Sequence, residues 1–575
     1  MSAVGQAINP INRTRSAYDA ARTPLAAYRQ PLAIVSALLV VAGSLMPWLT
    51  FRGYPGQLKA PFVLGDAGVR SYTLLLAVGL VLAFVDVPGR RKAGMWFTAG
   101  VVIVSLATFL SVLNERGGLA AFAPGIFLVI VGGIVGTLSF NSLPDDRPAN
   151  RWRRQPPWYE LLIVTVAQFA LLATVVYGLD VGTDDGDRSS RIIGFFLFLI
   201  AVCAALNALG VFAGISGLYR RHRAVTMAAG ALAAAAFPFL ISEVQDGNAY
   251  WIRVGASIGV FAAAAIGLNI VVGQAGLLDL GYVAFFGVGA YVAALLGDAK
   301  LTTSSIHLPF YLVIVLSAVI AAIFGVIIGA PTLRLRGDYL AIVTLGFGEI
   351  FRLVANNFDK LTRGPNGISG VPNLRVGSFD FGDAHTIFGV ELPYFANYYF
   401  VELLYIAFVI LVFTRLAASR IGRAWVAIRE DETAAEAMGV NTISMKLLAF
   451  AIGAFLAGGA GALNAHVTSQ VSPDSYTFLE SVTLLAAVVL GGMGTVAGAI
   501  LGSTVLIALP EKLRTFQDKR LMLYGVALIL MMRFRPTGIV PNSRRKLEFE
   551  EDDPTVGDAV TQEPAPSHGK AVMDQ

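Results

Sequence analysis

Residues Pro309 to Ala330 read P-F-Y-L-V-I-V-L-S-A-V-I-A-A-I-F-G-V-I-I-G-A, twenty-two positions without one charged side chain. A helix crossing a bilayer needs roughly 20 mostly apolar residues, so this stretch alone predicts a membrane span. Similar runs lie on both sides of it. Before it come Pro31 to Phe51, Tyr72 to Val87, Gly94 to Leu113, Leu119 to Phe140, Trp158 to Leu179, Ile192 to Leu218, Thr226 to Ser242, Tyr250 to Val272 and Leu277 to Leu296. After it come Tyr339 to Val354, Tyr398 to Leu416, Ile443 to His466, two short runs, Phe478 to Leu490 and Thr495 to Leu509, and a last run from Leu521 to Phe534. The fold class is therefore all-α: a polytopic integral membrane protein of about 16 transmembrane helices, counting short or Gly-broken segments. Composition agrees. Of the 575 residues, 56% are apolar and 14% charged, against about 25% charged in soluble domains. Too little polar surface exists to cover soluble domains, and that class is excluded.

Loop charges set the orientation. Arg13, Arg15, Arg22 and Arg29 open the chain, and alternate loops carry Arg90-Arg91-Lys92, Arg147 with Arg151, Arg153 and Arg154, then Arg220, Arg221 and Arg223, Arg334 with Arg336, and Arg415 to Arg429. The loops between lean acidic, as in Asp180 to Asp187 and Glu243 to Asp246. Basic loops stay in the cytoplasm, which places both termini there, in the plasma (inner) membrane. Two loops, Arg52 to Arg70 and Glu511 to Arg520, run against the alternation. The net charge of +5 is spread singly between apolar runs, a distribution of cytoplasmic loops rather than of a nucleic-acid-binding face. No apolar core followed by a small-residue cleavage site opens the chain, so no removable signal peptide is expected. The tail beyond Lys546 is acidic and contains proline, the composition of a disordered segment. Asp359 to Ala396 is the longest inter-span segment, and its Gly364-Pro365-Asn366-Gly367 turn predicts a small ordered external loop.

Catalytic motifs are missing. The five histidines stand far apart, without metal-ligand spacing. There is no H-E-x-x-H, C-x-x-C or phosphate-cradling G-x-x-x-x-G-K-[ST]. The single cysteine, Cys203, sits in an apolar run. No enzyme activity, metal or cofactor is expected in this chain. If transport uses ATP, another chain hydrolyses it.

Glycine carries more information. The sixty glycines exceed the ~7% norm and cluster. Gly273, Gly276, Gly281, Gly287 and Gly289 interrupt one apolar stretch, and Gly491, Gly492, Gly494, Gly498 and Gly502 another. Gly494, Gly498 and Gly502 stand four apart, as do Gly325 and Gly329, a spacing for close helix packing. Paired interrupted helices also point to a substrate route. Polar residues in or beside the spans join them as candidates for the translocation pathway: Asn269, Gln274, Asp279, Thr344, Glu349 and Glu480. A carboxylate inside a bilayer must face protein, water or a partner. Arg352 follows Glu349 by three residues, on the same helix face, so an internal ion pair is an equally good reading of that position.

From Ser419 the chain reads S-R-I-G-R-A-W-V-A-I-R-E-D-E-T-A-A-E-A-M-G-V-N. Trp425, Ile428, Ala435 and Met438 recur at helical spacing, which predicts a short amphipathic helix ending at a Gly439 cap. Its Glu430-Asp431-Glu432 run is unlike the basic polar face of a membrane-surface helix, so docking into a protein groove is expected.

At these residues the chain resembles the permease subunits of ABC importers, specifically the branched-chain amino-acid (LivM-type) permeases. The similar blocks are Gly267 to Leu277 with Asp279-Leu280-Gly281, Arg334 to Leu345, Asn366 to Gly370, Gly422-Arg423 through Glu436 to Asn441, Leu490 to Gly494, and Phe534 to Gly538. Together they cover about residues 250–546. The resemblance implies a permease core at 243–546, preceded by a cytoplasmic segment at 1–30 and an additional transmembrane region of unknown role at 31–242, and followed by the acidic tail at 547–575. It also implies two ABC nucleotide-binding subunits carrying ATP and Mg, a second permease subunit, and an extracytoplasmic substrate-binding protein. The coupling contact to the ATPase would involve Arg423, Ile428, Arg429, Glu430, Asp431, Glu432, Ala435, Glu436 and Gly439. The implied function is import of branched-chain amino acids across the plasma membrane. Urea, amides, nucleosides or sugars are the alternative solutes. A different mechanism, a secondary transporter, would use Asp279, Glu349 and Glu480 as proton sites.

Overall fold

A chain segment in hydrocarbon must satisfy its own backbone N–H and C=O groups, which apolar runs do by forming helices. The computed structural model describes residues 28–49, 69–85, 87–116, 121–143, 156–180, 188–244, 249–297, 308–332, 338–376, 379–387, 389–514, 522, 525–526, 529, 533 and 538–540. Among these, ten helices are long and apolar enough to cross a membrane, or up to eleven counting one bent pair, and three shorter apolar helices accompany them. The sequence expectation of about 16 crossings counted apolar length. Some of that length is unwound: of the run from Leu277, only Val283–Gly297 is helical. Arg334 and Arg336, the segments 1–27 and 541–575, and most of the last apolar run lie outside the described residues.

The chain divides into two compact units. One comprises Met1–Trp251 with Thr386–Leu392, the other Ile252–His385 with Pro393–Gln575.

The first unit holds α1 (Arg29–Leu45), α2 (Val69–Ala77, continued by a 3-10 turn, Val78–Ala83), α3 (Arg90–Arg116), α4 (Pro124–Asn141), α5 (Pro157–Asp180), α6 (Arg188–Ala208), α7 (Val211–Arg221) and α8 (Arg223–Val244). Its core gathers Trp48, Leu76, Ile126 and Phe140, all essentially without exposure. Small residues bring α1 and α4 together: Ser36 Oγ donates to the Gly132 carbonyl at 2.7 Å. The expected single span Ile192 to Leu218 is two helices bent by 75°. The cause is Gly210, whose φ of +74° is a conformation glycine adopts without steric cost. Ser242 Oγ donates to the Glu391 carbonyl at 3.0 Å.

The second unit holds α9 (Tyr250–Asn269, beginning in the first unit), α10 (Val283–Gly297), α11 (Phe310–Thr332), α12 (Asp338–Asn357), the single turn α13 (Asp359–Thr362), α14 (Tyr394–Ala418), α15 (Arg420–Glu430), α16 (Glu432–Ala437), α17 (Thr442–Thr468), α18 (Phe478–Gly491) and α19 (Val496–Lys512). Buried alanine and glycine let α10 and α17 touch backbone to backbone. A Cβ at Gly289 would overlap the Gly458 backbone, and one at Gly461 the Phe286 carbonyl. α9, α10 and α17 thus form the inside of the unit, with Ala263, Ala264, Ala290, Ala457 and Ala460 fully buried. The segment Asp359 to Ala396 carries short strands. Ile368–Ser369 pairs antiparallel with Gln470–Val471 beyond α17, in the register Ile368 to Val471 and Ser369 to Gln470, and Arg375–Val376 pairs with Phe379–Asp380. The Gly382 N–H and Arg375 beside Asp380 hold its carboxyl below the usual carboxylate range.

Candidate translocation and coupling site

α9 loses its regular hydrogen bonding at a π-turn, Ile270–Gln274, and Gly276, with φ +72°, turns the chain away. The unwound piece then lies against α12. Asp279 Oδ1 accepts from the Gly281 N–H at 2.9 Å, and Thr344 Oγ1 accepts from the Leu280 N–H at 3.1 Å. A Cβ at Gly281 would overlap the Thr344 carbonyl, so only glycine permits this approach. Asp279 is buried, with Oδ2 finding no partner among the described residues. Gln274 is buried beside it in sequence. The Val283 N–H at the start of α10 donates to Ser481 Oγ of α18 at 3.1 Å.

The second break falls between α18 and α19. Gly492 and Gly494 have φ of +123° and +77°. Thr495 caps α19: its Oγ1 accepts from the Gly498 N–H at 3.1 Å and donates to the Gly492 carbonyl at 2.9 Å. Gly494 therefore stands outside the helix face expected of Gly494, Gly498 and Gly502, because a left-handed turn precedes the cap. Gly498 and Gly502 keep the packing geometry. A Cβ at Gly491 would overlap the Gly498 carbonyl, and one at Gly502 the Ala487 carbonyl. Gly325 meets Ala454 and the Phe450 carbonyl across α11 and α17, and Gly329 is buried one turn on. Near the chain's end, Ile539 and Val540 donate backbone N–H groups to the Leu490 and Gly491 carbonyls, each at 2.9 Å.

The two breaks meet. Asn269, fully buried, accepts from the Gly494 N–H at 2.7 Å through Oδ1 and donates from Nδ2 to the Thr495 carbonyl at 3.0 Å. One side chain at the end of α9 thereby bonds two backbone groups of the second break.

The segment after Ser419 joins this assembly. Ser419 Oγ caps α15 by accepting from Ile421 and Gly422 N–H groups. The predicted single helix is two, divided at Asp431, whose Oδ1 accepts from the Ala434 N–H at 2.9 Å and caps α16. Of its apolar stripe only Met438 points outward. Trp425, Ile428 and Ala435 are buried in this chain, and Trp425 Nε1 donates to the Met445 carbonyl at 2.7 Å. Apolar area left uncovered would cost free energy, and the nearest cover is α17. Lys446, almost fully buried on α17, pairs with Glu432 at 2.6 Å. Arg429 reaches further: Nη1 donates to the Gly273 carbonyl at 2.9 Å, its stem lies over Gly276, and Nε holds Glu430 at 3.1 Å. Arg423, Glu430, Asp431, Glu436, Met438 and Gly439 are exposed. Gly439 has φ +85° and open space around its α-carbon.

The remaining carboxylates stay apart from the breaks. Glu349 lies towards the other end of α12 and accepts from Arg352 Nε at 2.9 Å. Glu480 sits half-buried in the first turn of α18, where negative charge suits the helix dipole. Sequence reading passed over Glu402, buried on α14 with both oxygens unpartnered among the described residues. Its signal was present, a lone acid within a long apolar run. Ser481 and Lys446 had no comparable signal, since their partners are distant in sequence.

Interrupted helices joined through one buried amide, inside a polytopic helical protein, are consistent with a membrane permease. Residues 250–532 match the family described as "Branched-chain amino acid transport system / permease component". The chain is 38% identical over 331 residues to the high-affinity branched-chain amino acid transport system permease protein LivM of Salmonella typhimurium, covering 55% of this chain and 75% of that protein. It is 30% identical over 293 residues to BraD of Pseudomonas aeruginosa, a permease protein of the same description, covering 50% and 93%. LivH of Escherichia coli is 27% identical over 293 residues, covering 50% and 93%. No solved structure gives a significant match. The chain belongs to the branched-chain amino-acid permease family, as a LivM-type member. Residues before 250 lie outside the family match.

Proposed function

We propose that this chain is one half of the pore of an ATP-driven importer, taking branched-chain amino acids into the cytoplasm. The observation that carries the coupling is the Arg429 bond to Gly273. A partner pressing on the exposed face of α15 and α16 moves a side chain tied to the break that ends α9. That break is held through Asn269 to the second. Motion imposed at the surface therefore reaches both broken helices without an intervening flexible loop.

On this reading the α15–α16 face is cytoplasmic, and the Asp359 to Ala396 loop faces a substrate-binding protein outside. ATP and Mg belong to two separate nucleotide-binding subunits, consistent with the lack of a phosphate-cradling loop in the sequence. The exposed Arg423, Glu430, Asp431, Glu436 and Met438 are the surface for them. The similarity to permeases named both LivM and LivH supports a second permease as the other half. Because the binding protein supplies selectivity, the pore itself need not bind the solute tightly. Reconstitution with these partners in proteoliposomes tests the reading. Leucine uptake is expected only with ATP inside and binding protein outside. Uptake driven by a proton gradient without ATP would contradict it.

A further inference from the structure

At the end of α12 that leads into the Asp359 loop, three charges alternate in sign. Arg352 holds Glu349 through Nε at 2.9 Å, and its Nη1 stands 3.9 Å from Asp474 Oδ1, which lies in the turn before α18. That second separation is within ion-pair range but too long for a hydrogen bond. Arg352 therefore keeps a donor turned towards a carboxylate that it does not engage directly. Beside the charges, the rings of Tyr291, Phe351 and Tyr476 form a mutual cluster, with centroids 6.0–6.2 Å apart. Gly287 makes room for it, since a Cβ there would stand 2.5 Å from the Phe351 ring and 3.0 Å from Tyr476. Tyr291 is 5% exposed and its hydroxyl has no hydrogen-bond partner among the described residues.

An ordinary surface ion pair does not account for this set. Glu349 and Arg352 lie within a helix apolar enough to span the membrane, yet their side chains are 44% and 28% exposed. Charges so placed cannot face lipid, so this side of α12 fronts water or protein. A buried hydroxyl with no partner is likewise costly unless something arrives to meet it.

We propose that Glu349, Arg352 and Asp474, walled by Tyr291, Phe351 and Tyr476, form a subsite for a neutral amino acid in transit. The free guanidinium donor and the Tyr291 hydroxyl take the α-carboxylate. The two carboxylates take the α-ammonium, and the aromatic wall takes a branched apolar side chain. Charge-assisted hydrogen bonds of this kind exceed neutral ones in strength, and the wall adds apolar burial. The inference rests on the reading of the chain as an amino-acid permease and adds a recognition step within the pore.

The test uses the assembled complex of both permeases and the nucleotide-binding subunits in nanodiscs, without binding protein. Binding of radiolabelled leucine is measured against two competitors, 4-methylpentanoate, which lacks the ammonium, and isoamylamine, which lacks the carboxylate. Unlabelled leucine is expected to compete and neither analogue to do so. Arg352→Gln and Asp474→Asn are expected to weaken leucine binding by about tenfold or more, with Arg352→Lys recovering part of it. Tyr291→Phe, which removes only the hydroxyl, is expected to weaken it less while the complex assembles at normal levels. Leucine binding unchanged by Arg352→Gln, or equal competition by 4-methylpentanoate, would overturn the subsite. So would a wild-type complex that transports leucine but does not bind it, and that result leaves the importer reading standing. A wild-type complex that does not transport leucine when its binding protein is supplied defeats the importer reading and this subsite with it.

Discussion

Gly494 donates its backbone N–H to Asn269 Oδ1 at 2.7 Å, across 225 positions of sequence. The same side chain donates to the Thr495 carbonyl, so one amide closes the ends of two interrupted helices. Asn269→Ala leaves the half-buried Gly494 N–H without this partner, at about 1–3 kcal/mol, while the Thr495 carbonyl keeps the Ala499 N–H at 3.3 Å. The variant is expected to melt earlier in detergent and to accumulate to lower levels. An unchanged melting temperature would show that water or a neighbouring group replaces the amide.

The approach of α18 to α19 depends on glycine. Gly498 is hemmed by the Gly491 and Gly492 carbonyls, both 2.7 Å from where a Cβ would lie. Gly498→Leu should force the two helices apart and destabilise the protein by several kcal/mol, of order 1–3 from overpacking alone. Thermal unfolding in detergent measures it, and normal stability would mean that the pair opens freely.

Arg429 makes a test of transmission. Arg429→Ala removes the hydrogen bond to the Gly273 carbonyl while Trp425 and Ile428 still anchor α15. The complex is expected to assemble normally, with ATP hydrolysis continuing and uptake falling well below that of wild type. Equal transport per ATP in wild type and variant would show that force passes elsewhere.

The odd number of crossings expected between Met1 and Glu243 would put them on opposite sides of the membrane. Reporter fusions at the N-terminus and after Glu243 are expected to report opposite compartments. The same compartment for both would require an even number of crossings between them.

Much of the fold was legible because its signals are local. Long apolar runs become helices wherever they occur, and glycines mark both breaks. What escaped was non-local. No spacing in the sequence tells that Asn269 reaches Gly494, or that Val283 is capped by Ser481. The amphipathic segment was expected to dock into a protein groove, but periodicity reveals a stripe and not which chain covers it. Trp425 and Ile428 cover themselves against α17, and Asp431, an ordinary helix surface residue by pattern, breaks the helix by capping the next. The expected stripe of Gly494, Gly498 and Gly502 failed at its first member, where backbone conformation and not spacing decides.

Gly439 gives the most direct test of the central claim, that the segment from Arg423 to Asn441 couples this chain to an ATPase. Its φ of +85° and the empty space around it mean that Gly439→Asp costs this chain only backbone strain, about 1 kcal/mol. Any larger effect must come from a partner on the exposed face. The measurement is ATP hydrolysis by the assembled complex on adding substrate-loaded binding protein. The account predicts normal insertion and levels of the variant, with stimulation and uptake both lost. Full stimulation in the Gly439→Asp complex would contradict it.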